Sequence, residues 1–485
     1  MPIAPKRYLV KTGIGVSKTQ DLIKAAEEAA QRAKQEFFQK SKGEKPQLLM
    51  FYCVYTYKGD YKKALEKIYE VFEDKNIPLV GGTVLGFFAQ DKYFFDIESI
   101  NAITAKITKP LGKVIKALEF SGVCVIALQS PFLKFGTGIG LKTDKDPVKA
   151  GRDCIEMALK DLPYATMTAY MGLMRKGPQE IRKIRPLSGI ILTPGGAEAK
   201  NNSYQGYVDN QILEGMTSYS RDWVKLTGGG LAGRFISSRT GAGIEQPYIF
   251  FNDKVYQNAV ISIVFSSDLE IGYGTETGAE LVAPVGVVTK TQGWEIEQIN
   301  QKPALDVFLE VMEKYAGVKR EPFFVDSLNA IVRKGYYLGL SEPNVNFYWP
   351  LAIMGASESE KKLFVLDPVK TGMGLSVVKI TKESAQKATQ TAVKMMQESA
   401  GEKFFHFVMF FSCGARGWIL GTQYAKEIEV IKNTLGQRDV PVFGLCSAGE
   451  TAFFKTGFAR GSNVTITMLG ASDRFLMAEY PEENR

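Results

Sequence analysis

Apolar and polar positions along this chain follow two alternating periods, and the order of those periods repeats. Apolar residues spaced three and four apart predict helices at Leu22–Phe37, Tyr61–Glu73, Asp146–Leu162, Tyr207–Tyr219, Lys382–Glu398 and Thr422–Leu435. Short apolar runs predict buried strands at Leu48–Cys53, Gly189–Thr193 and Phe405–Cys413. Further runs predict closing strands at Gly122–Leu128, Ala259–Phe265 and Asn463–Leu469. Inside each set a strand runs into glycines: PLVGGTVLGFF at Pro78–Phe88, KLTGGGLAGRF at Lys225–Phe235, and PVFGLCSAGET at Pro441–Thr451. These align without gaps, so Gly81, Gly228 and Gly444 coincide, as do Gly86, Gly233 and Gly449. The first two sets also open on the same tetrapeptide, Thr-Gly-Ile-Gly, at Thr12–Gly15 and Thr137–Gly140.

Agreement of order, spacing and turn across three segments points to duplication. Each unit reads helix, strand, helix, strand, glycine turn, then further strands. Strand–helix–strand order implies a parallel pair with a right-handed crossover. Short turns between the later strands add antiparallel neighbours. The expected fold is therefore α/β: repeated βαβ-type units with mixed parallel and antiparallel sheets covered by helices. Gly293–Val307, a helix to Tyr315 and Glu342–Leu351 do not repeat. A boundary near Ala283–Val288 divides the chain into a first domain at 1–285, with repeats at 8–130 and 131–285, and a second at 286–485.

Composition narrows the function. The chain has 485 residues, 45% hydrophobic and 23% charged, which suits an ordinary globular protein. No apolar run is long enough to cross a membrane, and the start lacks a secretory core, so a cytoplasmic location is expected. Five cysteines without CxxC spacing argue against a disulfide framework or a zinc site. The single histidine, His406, excludes chemistry that needs two. The net charge of +8 is spread and mixed with acids, as in KKALEKIYEVFEDK. That pattern favours a solvated basic surface over a nucleic-acid site.

In an open parallel sheet, ligands bind where loops splay at the carboxyl ends of strands. One crossover helix joins the strand ending at Cys413 to the strand ending at Gly444–Cys446. Their loops should bring Cys413, Arg416, Cys446, Ser447 and Glu450 into one crevice shaped by Gly444 and Gly449. Arg416 offers a fork for a carboxylate, and Glu450 a partner for an ammonium. The plainer alternative is that Arg416 and Glu450 pair with each other. Cys413 is the one candidate nucleophile, but His406 lies an odd number of residues away in the same strand and faces the other side. Gly228–Gly233 contains G-x-G-x-x-G, yet no helix should follow, so it reads as a tight repeat turn. The polar loop Gly195–Gly206 lies on the same rim, as a lid or as plain surface.

Certain segments resemble the FIST family. GWEIEQINQKPALDVFLEVM, with Lys302–Asp306 as a "GKPALD"-like helix start, resembles the opening of the C-terminal FIST domain. FFSCGARGWILG and VPVFGLCSAGET are similar to that domain's later motifs, supplying Cys413, Arg416, Gly417, Gly444, Gly449 and Glu450. Gly13, Gly15, the Leu48–Cys53 strand and Gly81-Gly82 resemble the N-terminal FIST domain. The resemblance implies a two-domain intracellular sensory module that binds a small molecule such as an amino acid. A signalling partner protein would read it, and the oligomeric state stays open. The family's histidine–asparagine pair is here reduced to Asn463. A subgroup resembling this family binds haem. Only His406 could ligate it here, and its apolar strand favours a core histidine, so no cofactor is expected. Two other functions remain open beside the sensor: a cysteine-dependent enzyme using Cys413 with Glu450, and a scaffold binding protein or nucleic acid.

Overall fold

A computed structural model of the chain describes residues 8–95, 118–160, 162, 175, 187–196, 198–200, 203–237, 242–317, 331, 334–341, 347–402, 404–453 and 459–476. The three repeated units each build a sheet. The first contains Lys11–Ser17, Val123–Gln129, Leu48–Val54 and Leu79–Val84, in that order. The second contains Leu133–Leu141, Ala259–Ser267, Leu187–Pro194 and Val224–Leu231. The third contains Leu269–Glu276, Ile466–Phe475, Phe405–Cys413 and Val442–Ser447. In each sheet the last two strands are parallel and the other pairs antiparallel, as the helix crossovers require.

The strands open each unit for a steric reason. Gly13 and Gly15 let the first strand press on the backbone of the Leu22–Ser41 helix. A Cβ at either would collide with the carbonyl oxygen of Ala33 or Ala29. The helix answers with a buried alanine stripe at Ala25, Ala26, Ala29, Ala30 and Ala33. Its start is fixed by Asp21, whose carboxylate accepts the Lys24 amide at 2.8 Å. Gly136, Gly138 and Gly140 repeat this against the Pro147–Lys160 helix.

The third unit has the same device, but its parts lie far apart in sequence. Gly272 and Gly274 in the Leu269–Glu276 strand meet Met396 and Ala392 of the Lys382–Ala400 helix. Between strand and helix the chain builds a separate body: strands from Glu280–Gln292 to Gly374–Lys379 around the Ala304–Ala316 helix, with its own apolar core. The non-repeating material is thus an insertion into the third unit.

After each glycine segment a hairpin leaves its own unit and extends the sheet of another. Gly86–Ala89 pairs with Val442–Ser447, Ile249–Phe251 with Leu79–Val84, and Glu450–Phe453 with Val224–Leu231. The exchange closes a ring of three. The sheets turn inward on one apolar core that includes Met50, Ile190 and Met409, and the helices cover the outside. The first glycine of each motif lies within its strand rather than in the turn. A Cβ on Gly81 or Gly228 would strike the carbonyl oxygen of Phe51 or Ile191 on the parallel neighbour. The turns themselves meet at the centre. Ala232 donates to Thr83 O at 3.0 Å, Ala448 to Gly230 O at 3.0 Å, and Gly230 to Gly449 O at 2.9 Å.

Candidate functional site

Register decides which predicted residues meet. Cys413 lies opposite Ser447, and Ser412 opposite Cys446, across the parallel pair. Opposed residues share a face and successive ones alternate, so Cys413 and Ser447 point one way and Cys446 the other. The Cys446 thiol sits among the Tyr424 and Tyr93 phenols on the helix side, where burial pushes it up to about 11. The Ser447 hydroxyl donates to Glu450 Oε1 at 2.7 Å, and the Thr465 amide donates to Oε2 at 3.2 Å. The Cys413 thiol lies against the same carboxyl. Glu450 is wholly buried, Ser447 nearly so, and Cys413 is 6% exposed.

This environment sets the protonation states. Burial holds Glu450 well above the usual carboxylate range, more than its hydrogen bonds and nearby Arg416 lower it. Burial, reinforced by Glu450, pushes the Cys413 thiol well above its ordinary value. A reactive cysteine needs an exposed, electropositive setting, and this one has neither. His406 is no base for it. It sits about 23 Å away along the strand at a rise of about 3.3 Å per residue. Its Nε2 is 3.0 Å from Asp473 Oδ1.

Arg416 departs from expectation. It does not reach into the crevice, nor does it pair with Glu450. Its guanidinium turns into the helix layer, wholly buried, with Nη2 3.0 Å from Glu427 Oε1. Nη2 also donates to Ala385 O and Thr389 Oγ1 at 2.9 Å, and Nε to Ser412 Oγ at 3.2 Å. The cause is Glu427, a buried carboxylate in a helix's first turn, which Arg416 neutralises while Thr389 donates to its other oxygen at 2.7 Å. Nη1 of Arg416 has no hydrogen-bond partner among the described residues. Gly444 and Gly449 are packing positions. A side chain on Gly444 would run into the Phe410 ring, and one on Gly449, with φ +83°, into the Tyr207 ring.

Only the third glycine motif carries an acid inward. Phe87 and Arg234 hold Glu450's place in the other two, and Val84 and Leu231 hold that of Ser447. Glu450 is covered by the segment from Ser462 to Thr465, where Val464 has φ +54°. That conformation is rare and costly for a β-branched residue. Gly228–Gly233 runs from a strand into the Phe235–Ser237 strand, so no helix start follows the G-x-G-x-x-G. The loop after Pro194 forms a hairpin of Glu198–Lys200 and Ser203–Gln205, with residues 197, 201 and 202 outside the described ones. Its base at Gly195 presses on Ala448.

A second polar group escaped the sequence reading. Asp209 and Asp367 approach each other where the Asp209–Ser220 helix begins, beside Gly449 and Asn463. Nothing periodic marks either aspartate; only the retained Asn463 pointed toward this place. Among the described residues no three His, Cys, Asp or Glu side chains are placed to hold a metal. No described helix is long and apolar enough to cross a membrane.

No curated protein sequence matches the chain. Two solved structures align over 96% of this chain and 100% of their own. One is a cyanuric acid hydrolase described as an innovation by structural concatenation, at 10% identity and a TM-score of 0.25. The other is cyanuric acid hydrolase from A. caulinodans, at 6% identity and a TM-score of 0.29. At such scores these likenesses carry no weight for fold or function. The family models are decisive: the FIST N domain matches residues 47–302 and the FIST C domain residues 304–452. The chain therefore belongs to the FIST family, whose domains are generally sensory and bind small ligands.

Proposed function

We propose that the chain is a small-ligand sensor that takes a zwitterion of amino-acid type at the third glycine turn. Cys413, Ser447 and Glu450 form its recognition surface, and the Asn463–Thr465 segment covers it. The observation that carries this reading is Glu450, a wholly buried acid with no ion pair among the described residues, in a place where the sister units hold Phe87 and Arg234. The hydrogen bonds from Ser447 and Thr465 offset the cost of burying this acid but supply no opposite charge. A ligand ammonium would supply it, pairing with the carboxylate as any proton held there leaves to solvent. Arg416, turned into the helix layer against Glu427, takes no part in this surface. Entry requires the covering segment to lift, and the strained Val464 lowers the cost of that movement.

The test is thermal unfolding of the purified chain against the twenty amino acids and related zwitterions, in wild type and Glu450→Gln. A ligand specific to the native state raises the melting temperature. The reading expects at least one such compound, with its effect lost in the variant. No shift with any compound, or an equal shift in both proteins, removes the reading.

A further inference from the structure

Each unit's opening strand is the edge of its sheet: Lys11–Ser17 in the first, Leu133–Leu141 in the second and Leu269–Glu276 in the third. Such an edge offers a row of backbone N–H and C=O groups to any other strand. The first unit plugs its edge with side chains. Glu36 accepts the Ile14 amide at 3.0 Å, and Gln90 donates to Ile14 O at 3.0 Å. Lys40 donates to Thr12 O at 2.9 Å, and Arg32 donates to Val16 O. The third unit uses Ser399, whose hydroxyl accepts the Tyr273 amide at 2.7 Å and lies 3.0 Å from Tyr273 O.

The second unit lacks such a plug. Gly13, Gly138 and Gly272 hold equivalent places, each against a helix carbonyl, that of Ala33, Cys154 or Met396. Three residues beyond these stand Glu36, Met157 and Ser399. Met157 has no N–H or O–H to donate and only a weakly accepting sulfur, and it is 44% exposed. Ile139 holds the place of Ile14. Its side chain enters the same central core, and its strand is likewise antiparallel to the closing strand. Its N–H and C=O therefore point the same way, off the edge. Among the described residues nothing bonds to that side of Thr137, Ile139 or Leu141, and Leu141 is 46% exposed.

We propose that the Leu133–Leu141 edge is a dimerisation surface, pairing antiparallel with the same edge of a second copy of this chain. The two-fold axis passes through Ile139, which pairs with its own counterpart, while Thr137 pairs with Leu141 of the partner subunit. Met157 sits level with Ile139, as Glu36 does with Ile14, so the axis brings the two exposed methionines together and covers both. Two acids there, as in the first unit, would repel. Methionine at this place thus leaves the backbone open and suits a second copy in particular. A contact of this kind uses one patch on both subunits and closes at two copies. It joins two sheets into one and shares no residue with the Glu450 site.

The experiment is sedimentation velocity of the whole chain, from about 1 to about 100 µM. The wild type should pass from monomer to dimer across that range. Met157→Glu, which restores the first unit's plug at an exposed position, should melt like the wild type and weaken dimerisation at least ~10-fold. Met157→Leu, which leaves the edge open, should dimerise like the wild type. Hydrogen exchange reads the same surface without a variant, and decides should Met157→Glu fail to fold. The Ile139 amide should exchange more slowly at the high concentration than at the low, and the Ile14 amide equally at both. A chain monomeric throughout, a folded Met157→Glu that dimerises as tightly as the wild type, or an Ile139 amide indifferent to concentration overturns the proposal.

Discussion

The Arg416 guanidinium lies 3.0 Å from the Glu427 carboxylate, and both side chains are removed from water. Arg416 also joins the short Gly414–Leu420 helix to the Lys382–Ala400 helix through Ala385 and Thr389. Removing one partner strands the other charge. Arg416→Met and Glu427→Leu should each cost about 3–5 kcal/mol in denaturant unfolding, and the double variant much less than their sum. Additive losses would mean that the two residues do not act as a pair.

The glycines inside the strands permit close backbone approach, so their replacement should act through collision. Gly228→Ala should destabilise by more than about 2 kcal/mol, because its Cβ meets the Ile191 carbonyl. Gly43→Ala, with φ +94° and open space around it, should cost only about 1 kcal/mol. Equal losses in urea titrations would remove the packing explanation.

Asp209 makes stability depend on pH in a stated direction. Its carboxyl titrates near 8 in the folded chain, against an ordinary value of 3.8. The folded state therefore binds more protons, and stability falls as pH rises from 4 toward 8, by up to about 1.4 kcal/mol per pH unit. Asp209→Asn should flatten that part of the stability profile, gaining most over wild type near pH 8 and least near pH 4. A parallel offset at every pH would show that Asp209 does not titrate as described.

Cys413 should behave as an inert thiol. All five cysteines are buried. In the native chain at pH 7, a thiol reagent should label Cys413 no faster than Cys124, and on the order of 100-fold slower than after unfolding. Faster labelling of Cys413 would restore the cysteine-enzyme reading.

The repeated units were legible in the sequence because each carries its own periodicity. Phe405–Cys413 is the strand expected, and the six helices form at or near their expected places. The opening strand of the third unit was not legible. Gly272 and Gly274 are separated from their helix by the inserted body, and contact over that distance leaves no local pattern. At the site, the strand ends correctly brought Cys413, Ser447 and Glu450 together. Arg416 was misplaced because Glu427, which captures it, looks like any exposed helical acid in the sequence. Asp209 and Asp367 meet only through the hairpin exchange, which leaves no local pattern, and the insertion, which shows in the sequence only as material that does not repeat.

The account rests on Glu450 as the ligand-bearing acid, and a crystal structure of the chain with the zwitterion that most raises its melting temperature tests this directly. The account predicts a ligand nitrogen within hydrogen-bond distance of Glu450, with the Asn463–Thr465 segment displaced from its present place over the carboxyl. Ligand bound elsewhere, with Glu450 still held by Ser447 and Thr465 alone, would contradict it.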